Sequence, residues 1–226
     1  MSNKRVAKLR DKLESKGLSA ILVASPINRR YLTGFTGSAG YVLITPEQSY
    51  LLTDFRYMTQ APQQAVGFHV VEHAPKVMDT VKELLGAELI TSLGFEQDHV
   101  TYGVFSAYSE QLAPIHLVPV SGMIEELRII KDADELAIMQ RAADLADETF
   151  SHVLTILQTG KTEREIDLEM EMFMRKRGAT SSSFDTIVAS GERSALPHGV
   201  AASVLFKAMN SSRLILERCW MVTARI

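Results

Sequence analysis

The sequence predicts an α/β protein in two parts: strands alternate with helices up to about Ser121, and long helices follow. Short apolar runs alternate with amphipathic stretches in the first part. From Lys131 onward, apolar residues recur three and four positions apart over a long stretch. Capping-box spacings at Asp132 with Glu135 and at Thr162 with Glu165 mark two helix starts.

The first part begins with a short helix, because Val6, Leu9 and Leu13 recur at helical spacing and Gly17 interrupts the run. Strand-like runs follow at "AILVAS", "YVLIT", "YLLTD", "FHVVEH", "ITSLGFE" and "HLVPVS". Helical stretches separate some of them, as in "KVMDTVKELLG" and "TYGVFSAYSEQLA". The stretch "TGFTGSAG" predicts a tight link between two strands.

The second part predicts a long helix that ends at Gly160 and a second helix that ends at Gly178. The stripe expected to be buried on the long helix comprises Leu136, Met139, Ala143, Ala146, Phe150, Val153 and Leu157. Ile166, Met170 and Phe173 give the second helix its apolar face. The change of pattern between residues 122 and 130 divides the chain into domains 1–125 and 126–201, with a separate tail at 202–226.

The composition is that of an ordinary globular protein, with 46% hydrophobic and 23% charged residues. The formal net charge of -3 provides no strong field for nucleic acid or an anionic membrane, so neither partner is expected. The charged amino terminus and the lack of a long apolar run favour a cytoplasmic protein. The single cysteine, Cys219, excludes an internal disulfide and a multi-cysteine metal site.

The strongest local signal is "SSSFDTIVASGERSALPHG", which runs from a short strand into a loop that ends near His198. A lone histidine in a loop is by itself most often a surface or packing residue. The other histidines lie on different predicted elements without metal-ligand spacing, and Asp144 with Glu148 is expected on a solvated helix face.

Several separated stretches together resemble the creatinase, aminopeptidase P and prolidase family of "pita-bread" metallopeptidases, especially bacterial Xaa-Pro dipeptidase or aminopeptidase P-like members. They are "NRRYLTGFTGSAG", "TDFRY", "GFEQD", "LRIIKDADELAIMQRAADLAD" and "GATSSSFDTIVASGERSALPHG". The likeness extends from residue 1 to about Ala201. It implies a creatinase-type amino-terminal domain with a mixed sheet, followed by an incomplete α+β pita-bread catalytic domain.

The resemblance implies that full-length members hold two divalent metals, usually manganese, among carboxylates and cleave the peptide bond before proline. Proline-containing peptides are then the substrates. His198 matches a histidine that lies beside the metals and binds substrate or moves protons, without being a core ligand. In dimeric relatives the small domain lies near a partner's active site. A homodimer would therefore give Arg30, Tyr31, Arg56 and Tyr57 a place at the substrate edge, although ion pairing or helix capping would explain these residues equally well.

The chain departs from the family after His198. The family has two aspartates shortly after this histidine, in "LDFG" and "CSD" contexts, and later a histidine and two glutamates. None of them is present, and Glu217 is the only acid after Ala201. One carboxylate cannot hold two divalent cations, so no metal site and no cofactor are expected in this chain.

The tail 202–226 matches the expected sequence when it is read one nucleotide out of register. The junctions of Trp220 with Met221 and of Met221 with Val222 are then forced to Asp and Gly. Suitable codons elsewhere give "GDELVTLDFGA" and, after one undetermined residue, "LDGYCSDI". A single-nucleotide frameshift just after Ala201 is therefore our hypothesis, and a lineage-specific ending is the alternative.

These observations leave three hypotheses for the chain. It is a truncated Xaa-Pro peptidase without activity, a non-catalytic peptide-binding or dimerisation module, or an unstable fragment. A fragment of that kind would expose sheet edges and apolar faces.

Overall fold

The computed structural model describes residues 2–182, 186–207, 212–215 and 218–219. It divides into two compact units, Met1–Ile130 and a second that begins at Lys131. The boundary predicted after residue 125 falls within a helix that belongs to the first unit. Among the described helices, none is both long and apolar enough to cross a membrane.

The first unit is built on a six-stranded sheet with the order β4-β3-β2-β1-β5-β6. The strands are β1 (Ile21–Val23), β2 (Tyr41–Ile44), β3 (Ser49–Thr53), β4 (His69–Glu72), β5 (Ser92–Glu96) and β6 (His116–Val120). Strand β2 is antiparallel to both of its neighbours, and the other neighbouring pairs are parallel. The sheet is therefore mixed, as the family resemblance implied.

Helices cover both faces of this sheet. They are α1 (Ser2–Ser15), α2 (Pro26–Thr33), α3 (Ala61–Gln64), α4 (Val77–Ala87), α5 (Tyr102–Leu112) and α6 (Met123–Ile129), with a 3₁₀ turn at Phe55–Tyr57. Ile21 and Val23 of β1 pack in one cluster with residues of α1, α2 and α6. Leu22 points the other way and packs with residues of α4 and α5. Because both faces are buried, the strands read as continuous apolar runs in the sequence.

The connection from β1 to β2 differs from the expected tight link between strands. Ser25 caps the start of α2, where Pro26 fits because its missing N–H is not needed there. The helix ends at Gly34, whose φ of 77° is accessible to glycine at little cost and whose N–H donates to the Arg30 carbonyl. The stretch "TGFTGSAG" therefore joins a helix to a strand.

The second unit contains α7 (Ala133–Ile156), α8 (Glu163–Lys176), short strands and a 3₁₀ turn at Gly191–Ala195. Both helices begin with the capping boxes that the sequence indicates. The strands form two antiparallel pairs, β7 (Ser181–Ser182) with β10 (Arg218–Cys219) and β8 (Ile187–Ser190) with β9 (Ser212–Ile215). A small apolar core joins α7 and α8 to Val188 of β8.

The stripe predicted on α7 is mostly exposed, so that expectation was wrong. Leu136, Met139 and Phe150 are 54%, 39% and 49% exposed. Val153 is buried as predicted, but the other buried residues of α7 are Leu145 and Thr149, which lie outside the predicted stripe. Thr149 is tolerated there because its hydroxyl donates to the Leu145 carbonyl at 2.7 Å. The helix carries two apolar faces, and periodicity alone could not choose between them.

Part of segment 202–226, for which the sequence predicts no element, is paired in the structure. Strand β9 runs alongside β8, with Leu214 opposite Val188. Phe206 is buried in the core of the second unit, and its N–H donates to the Lys161 carbonyl at 2.8 Å.

Candidate functional site

His198 lies on the loop that leaves β8 and returns to the start of α8. The loop passes through the 3₁₀ turn Gly191–Ala195. His198 follows this turn, and its imidazole is exposed. The carbonyl oxygen of His198 accepts the Val200 N–H at 2.9 Å. Within the described residues, no hydrogen bond or ion pair to the imidazole is found. The ring is therefore available to an incoming molecule.

Glu163, the first residue of α8, holds this loop from inside the unit. Its side chain is fully buried. One carboxylate oxygen, Oε1, accepts the Ser190 N–H at 2.8 Å and the Ser190 hydroxyl at 3.0 Å. The other, Oε2, accepts the Ala202 N–H at 2.9 Å and Nε of Arg193 at 3.2 Å. A single carboxylate thus binds the entry, the middle and the exit of the His198 loop.

The charge state of Glu163 follows from these contacts. Burial raises the pKa of the carboxyl group, but the N–H groups of Ser190 and Ala202, the Ser190 hydroxyl and the Arg193 charge together bring it below its ordinary value. The group is therefore ionised at neutral pH, and its charge is matched by the Arg193 guanidinium.

Backbone pairing fixes the exit of the loop as well. The N–H of Glu163 donates to the Val204 carbonyl at 3.0 Å, and that of Gly160 donates to the Phe206 carbonyl at the same distance. Directly after His198, Gly199 packs so closely that an added Cβ would lie 3.0 Å from the Ala189 Cβ. The backbone on the carboxyl side of His198 is therefore tightly packed.

The residues around this loop do not fit a pair of divalent metals. Among the described residues, no three His, Cys, Asp or Glu side chains come together in a way that could hold a metal ion. Of the carboxylates at the loop, that of Glu163 is fully buried and engaged by four donors, and that of Glu192 lies exposed in the 3₁₀ turn. Glu217 lies outside the described residues.

Arg56 and Tyr57, two of the substrate-edge candidates, lie in the 3₁₀ turn after β3. Arg56 forms a two-point ion pair with Asp54, with both N···O distances at 2.8 Å. The Tyr57 hydroxyl contacts the Ser38 hydroxyl at 2.8 Å, and this hydrogen bond lowers the pKa of Tyr57. The Tyr57 ring packs edge-on against Phe35, with ring centres 5.4 Å apart. Both side chains thus have structural partners.

Arg30 and Tyr31, the other two candidates, lie in α2. The Tyr31 hydroxyl donates to the Leu127 carbonyl at 3.1 Å, and its ring lies under the Arg5 guanidinium at 4.2 Å. Tyr31 therefore ties α2 to α1 and α6. Arg30 is partly buried, which lowers its pKa. The four candidates lie in the first unit and His198 lies in the second.

The comparisons with known proteins assign these features to a family. The family model described as the Creatinase/Prolidase N-terminal domain matches residues 5–130, which is more than half of the chain. The chain belongs to the creatinase/prolidase family. A second family model, Metallopeptidase family M24, matches residues 137–218. That range contains His198 and extends beyond about Ala201, where the resemblance was expected to end.

Individual members of the creatinase/prolidase family agree with this assignment. An uncharacterised peptidase from Bacillus subtilis, YqhT, is 43% identical over 90% of this chain and 58% of its own length. The Xaa-Pro dipeptidase of Pyrococcus horikoshii is 33% identical over 88% of this chain and 56% of its own length. The solved structure of an Xaa-Pro dipeptidase from Bacillus anthracis matches with a TM-score of 0.91 at 43% identity. That match covers 96% of this chain and 61% of the dipeptidase. The chain thus spans a little over half the length of these relatives.

Two residues that organise the candidate regions were not identified from the sequence. Arg29 is 4% exposed, and its guanidinium donates to the carbonyls of Gly37 and Gly40 at 2.6 and 2.7 Å. Its position three residues before the buried Leu32 was a usable signal, because such residues share a helix face. Glu163 likewise lies three residues before the buried Ile166, but an acid in the first turn of a helix is common, so its burial was not suspected.

Proposed function

We propose that this chain carries the amino-terminal domain and the first part of the catalytic domain of an Xaa-Pro peptidase. The whole protein hydrolyses peptide bonds that precede proline, and its substrates are proline-containing peptides. The observation that carries this proposal is the metallopeptidase match over residues 137–218. Relatives named as Xaa-Pro dipeptidases, at 33% and 43% identity, support the same substrate class.

His198 is the chain's own contribution to this chemistry. Its imidazole is exposed, without a partner in the described part of the chain, on a loop whose two ends are held by Glu163. It binds the substrate or transfers a proton during cleavage. Arg56, Tyr57, Arg30 and Tyr31 lie at the substrate edge of a partner's site in a homodimer. The protein acts in the cytoplasm.

The 226-residue chain by itself lacks this activity. In the whole protein two divalent metals, which we expect to be manganese, supply a water acidic enough to attack the peptide bond. The described residues do not bring together the carboxylates that such a pair needs. A frameshift after Ala201 accounts for the loss of these ligands in the remaining sequence.

The test compares the chain with a version in which one nucleotide is inserted after the Ala201 codon and translation continues into the downstream locus. With manganese and an Ala-Pro dipeptide, we expect proline release from the frame-restored protein and none from the 226-residue chain. In the restored protein, His198→Ala lowers kcat by about 10²- to 10⁴-fold if the imidazole transfers a proton. It raises KM if the imidazole binds the substrate.

Three outcomes would contradict the proposal. A downstream frame without the later histidine and glutamate codons rules out the frameshift. Metal-stimulated turnover by the 226-residue chain shows that it is not inactive. Dipeptide binding without turnover in both proteins supports the alternative of a non-catalytic peptide-binding module.

A further inference from the structure

We infer that Glu163 is a positioning residue that sets the place of His198 in the site. The inference rests on the proposed function for the role of His198, but it concerns a different residue and a different element. Glu163 opens α8, whereas His198 lies on the loop after β8. Neither the sequence motif nor the family resemblance drew attention to Glu163.

The hydrogen bonds of Glu163 reach both ends of the loop. Ser190 is the last residue of β8, and Ala202 lies four residues after His198. Both donate their backbone N–H to the same carboxylate, at 2.8 and 2.9 Å. Fixing both ends of a loop to one buried group removes most of the conformational freedom of the residues between them.

A second path runs from Glu163 to the neighbourhood of His198. Arg193 donates from Nε to Glu163 at 3.2 Å and from Nη2 to the Val200 carbonyl at 2.7 Å. Val200 in turn donates its N–H to the His198 carbonyl at 2.9 Å. The carboxylate is thus connected to the His198 backbone through three consecutive hydrogen bonds.

The carboxylate is suited to this task because all four of its contacts are donors. A carboxylate accepts hydrogen bonds at both oxygens, whereas an amide offers one acceptor and one donor group. In Glu163→Gln the amide NH₂ must face either the Ser190 donors or the Ala202 and Arg193 donors. One end of the loop then loses its anchor while the size of the side chain is retained.

The experiment measures backbone amide exchange and the His198 ring signals of the 226-residue chain by NMR, without ligand. We expect Glu163→Gln to speed exchange of the Ser190 or Ala202 amide at least tenfold and to shift the His198 ring signals. Glu165→Gln is the matched control on the same helix. Glu165 is exposed and, among the described residues, its side chain binds Thr162, so the His198 signals should stay in place.

A second variant keeps the inference testable if Glu163→Gln does not fold. Arg193→Gln leaves Glu163 with its backbone donors and removes the contact to Val200, so the His198 signals should shift while the amide of Ser190 stays protected. If a folded Glu163→Gln protein shows wild-type exchange and wild-type His198 signals, the inference is wrong. If Glu163→Gln does not fold, unchanged His198 signals in a folded Arg193→Gln protein show that the inference is wrong.

Addition of an Ala-Pro dipeptide to the frame-restored protein tests the proposed role of His198 separately. If the dipeptide leaves the His198 ring signals unmoved, the binding role fails. The positioning role is still decided by the ligand-free spectra.

Discussion

At the scale of single residues, the Asp54–Arg56 ion pair gives a titration that can be measured. The hydrogen bond from Arg56 lowers the pKa of Asp54 from its ordinary 3.8 to about 2. Because the pKa of Asp54 is lower in the folded state than in the unfolded state, the ion pair stabilises the fold above about pH 3.8. This stabilisation is lost as the pH falls toward 2. We expect carboxyl NMR to place the Asp54 midpoint near 2 and Arg56→Gln to return it toward the ordinary value.

Arg30→Gln is the control for this titration, because Arg30 lies on a different element and should leave the midpoint unchanged. A midpoint near 3.8 in the unsubstituted chain would mean that the pair does not form in solution. The pair also bears on the substrate-edge role. A peptide carboxylate that binds Arg56 must share it with Asp54 or displace Asp54.

His198 and Glu163 show what can be read from a residue's local sequence. His198 was predicted as a site residue because its flanking stretch resembles a family motif. Glu163 receives donors from residues 27 and 39 positions away, and such long-range partners leave no local pattern. Only the fold shows that a helix-start glutamate serves the loop of the histidine.

At the scale of elements, α7 provides a direct comparison of its two apolar faces. Leu145 is 4% exposed and Leu136 is 54% exposed, although the spacing of apolar residues predicted a buried Leu136. We expect Leu145→Ala to lower the free energy of unfolding by about 2 to 4 kcal/mol, because it leaves a cavity. Leu136→Ala should cost less, within about 0.5 kcal/mol, since its side chain already faces water.

Urea denaturation of the two variants measures this difference with the same substitution on the same helix. Equal losses of stability would show that the face with Leu136 is also covered in solution. The starts of α7 and α8 were predicted correctly because a capping box requires only residues three positions apart. The buried face was not, because it depends on what packs against the helix.

At the scale of the whole molecule, the metal content of the purified chain tests whether it holds the expected metal pair. We expect elemental analysis of the purified chain, after incubation with manganese and removal of free metal, to find far less than one manganese ion per chain. The physical reason is charge, since two divalent cations need several carboxylates at one place. The frame-restored protein is the control, in which about two ions per chain are expected. Stoichiometric manganese in the 226-residue chain would contradict the prediction.

The sequence by itself determined the class of fold, the family and the helix starts. These depend on apolar periodicity, short-range capping and motifs that are contiguous along the chain. Tertiary structure alone decided that "TGFTGSAG" follows a helix, that α7 buries Leu145 instead of Leu136, and that Glu163 holds the His198 loop. Each of these depends on contacts between residues distant in sequence. These contacts are stabilised by the burial of side chains and by hydrogen-bond donors that find acceptors, and both arise only when the elements pack.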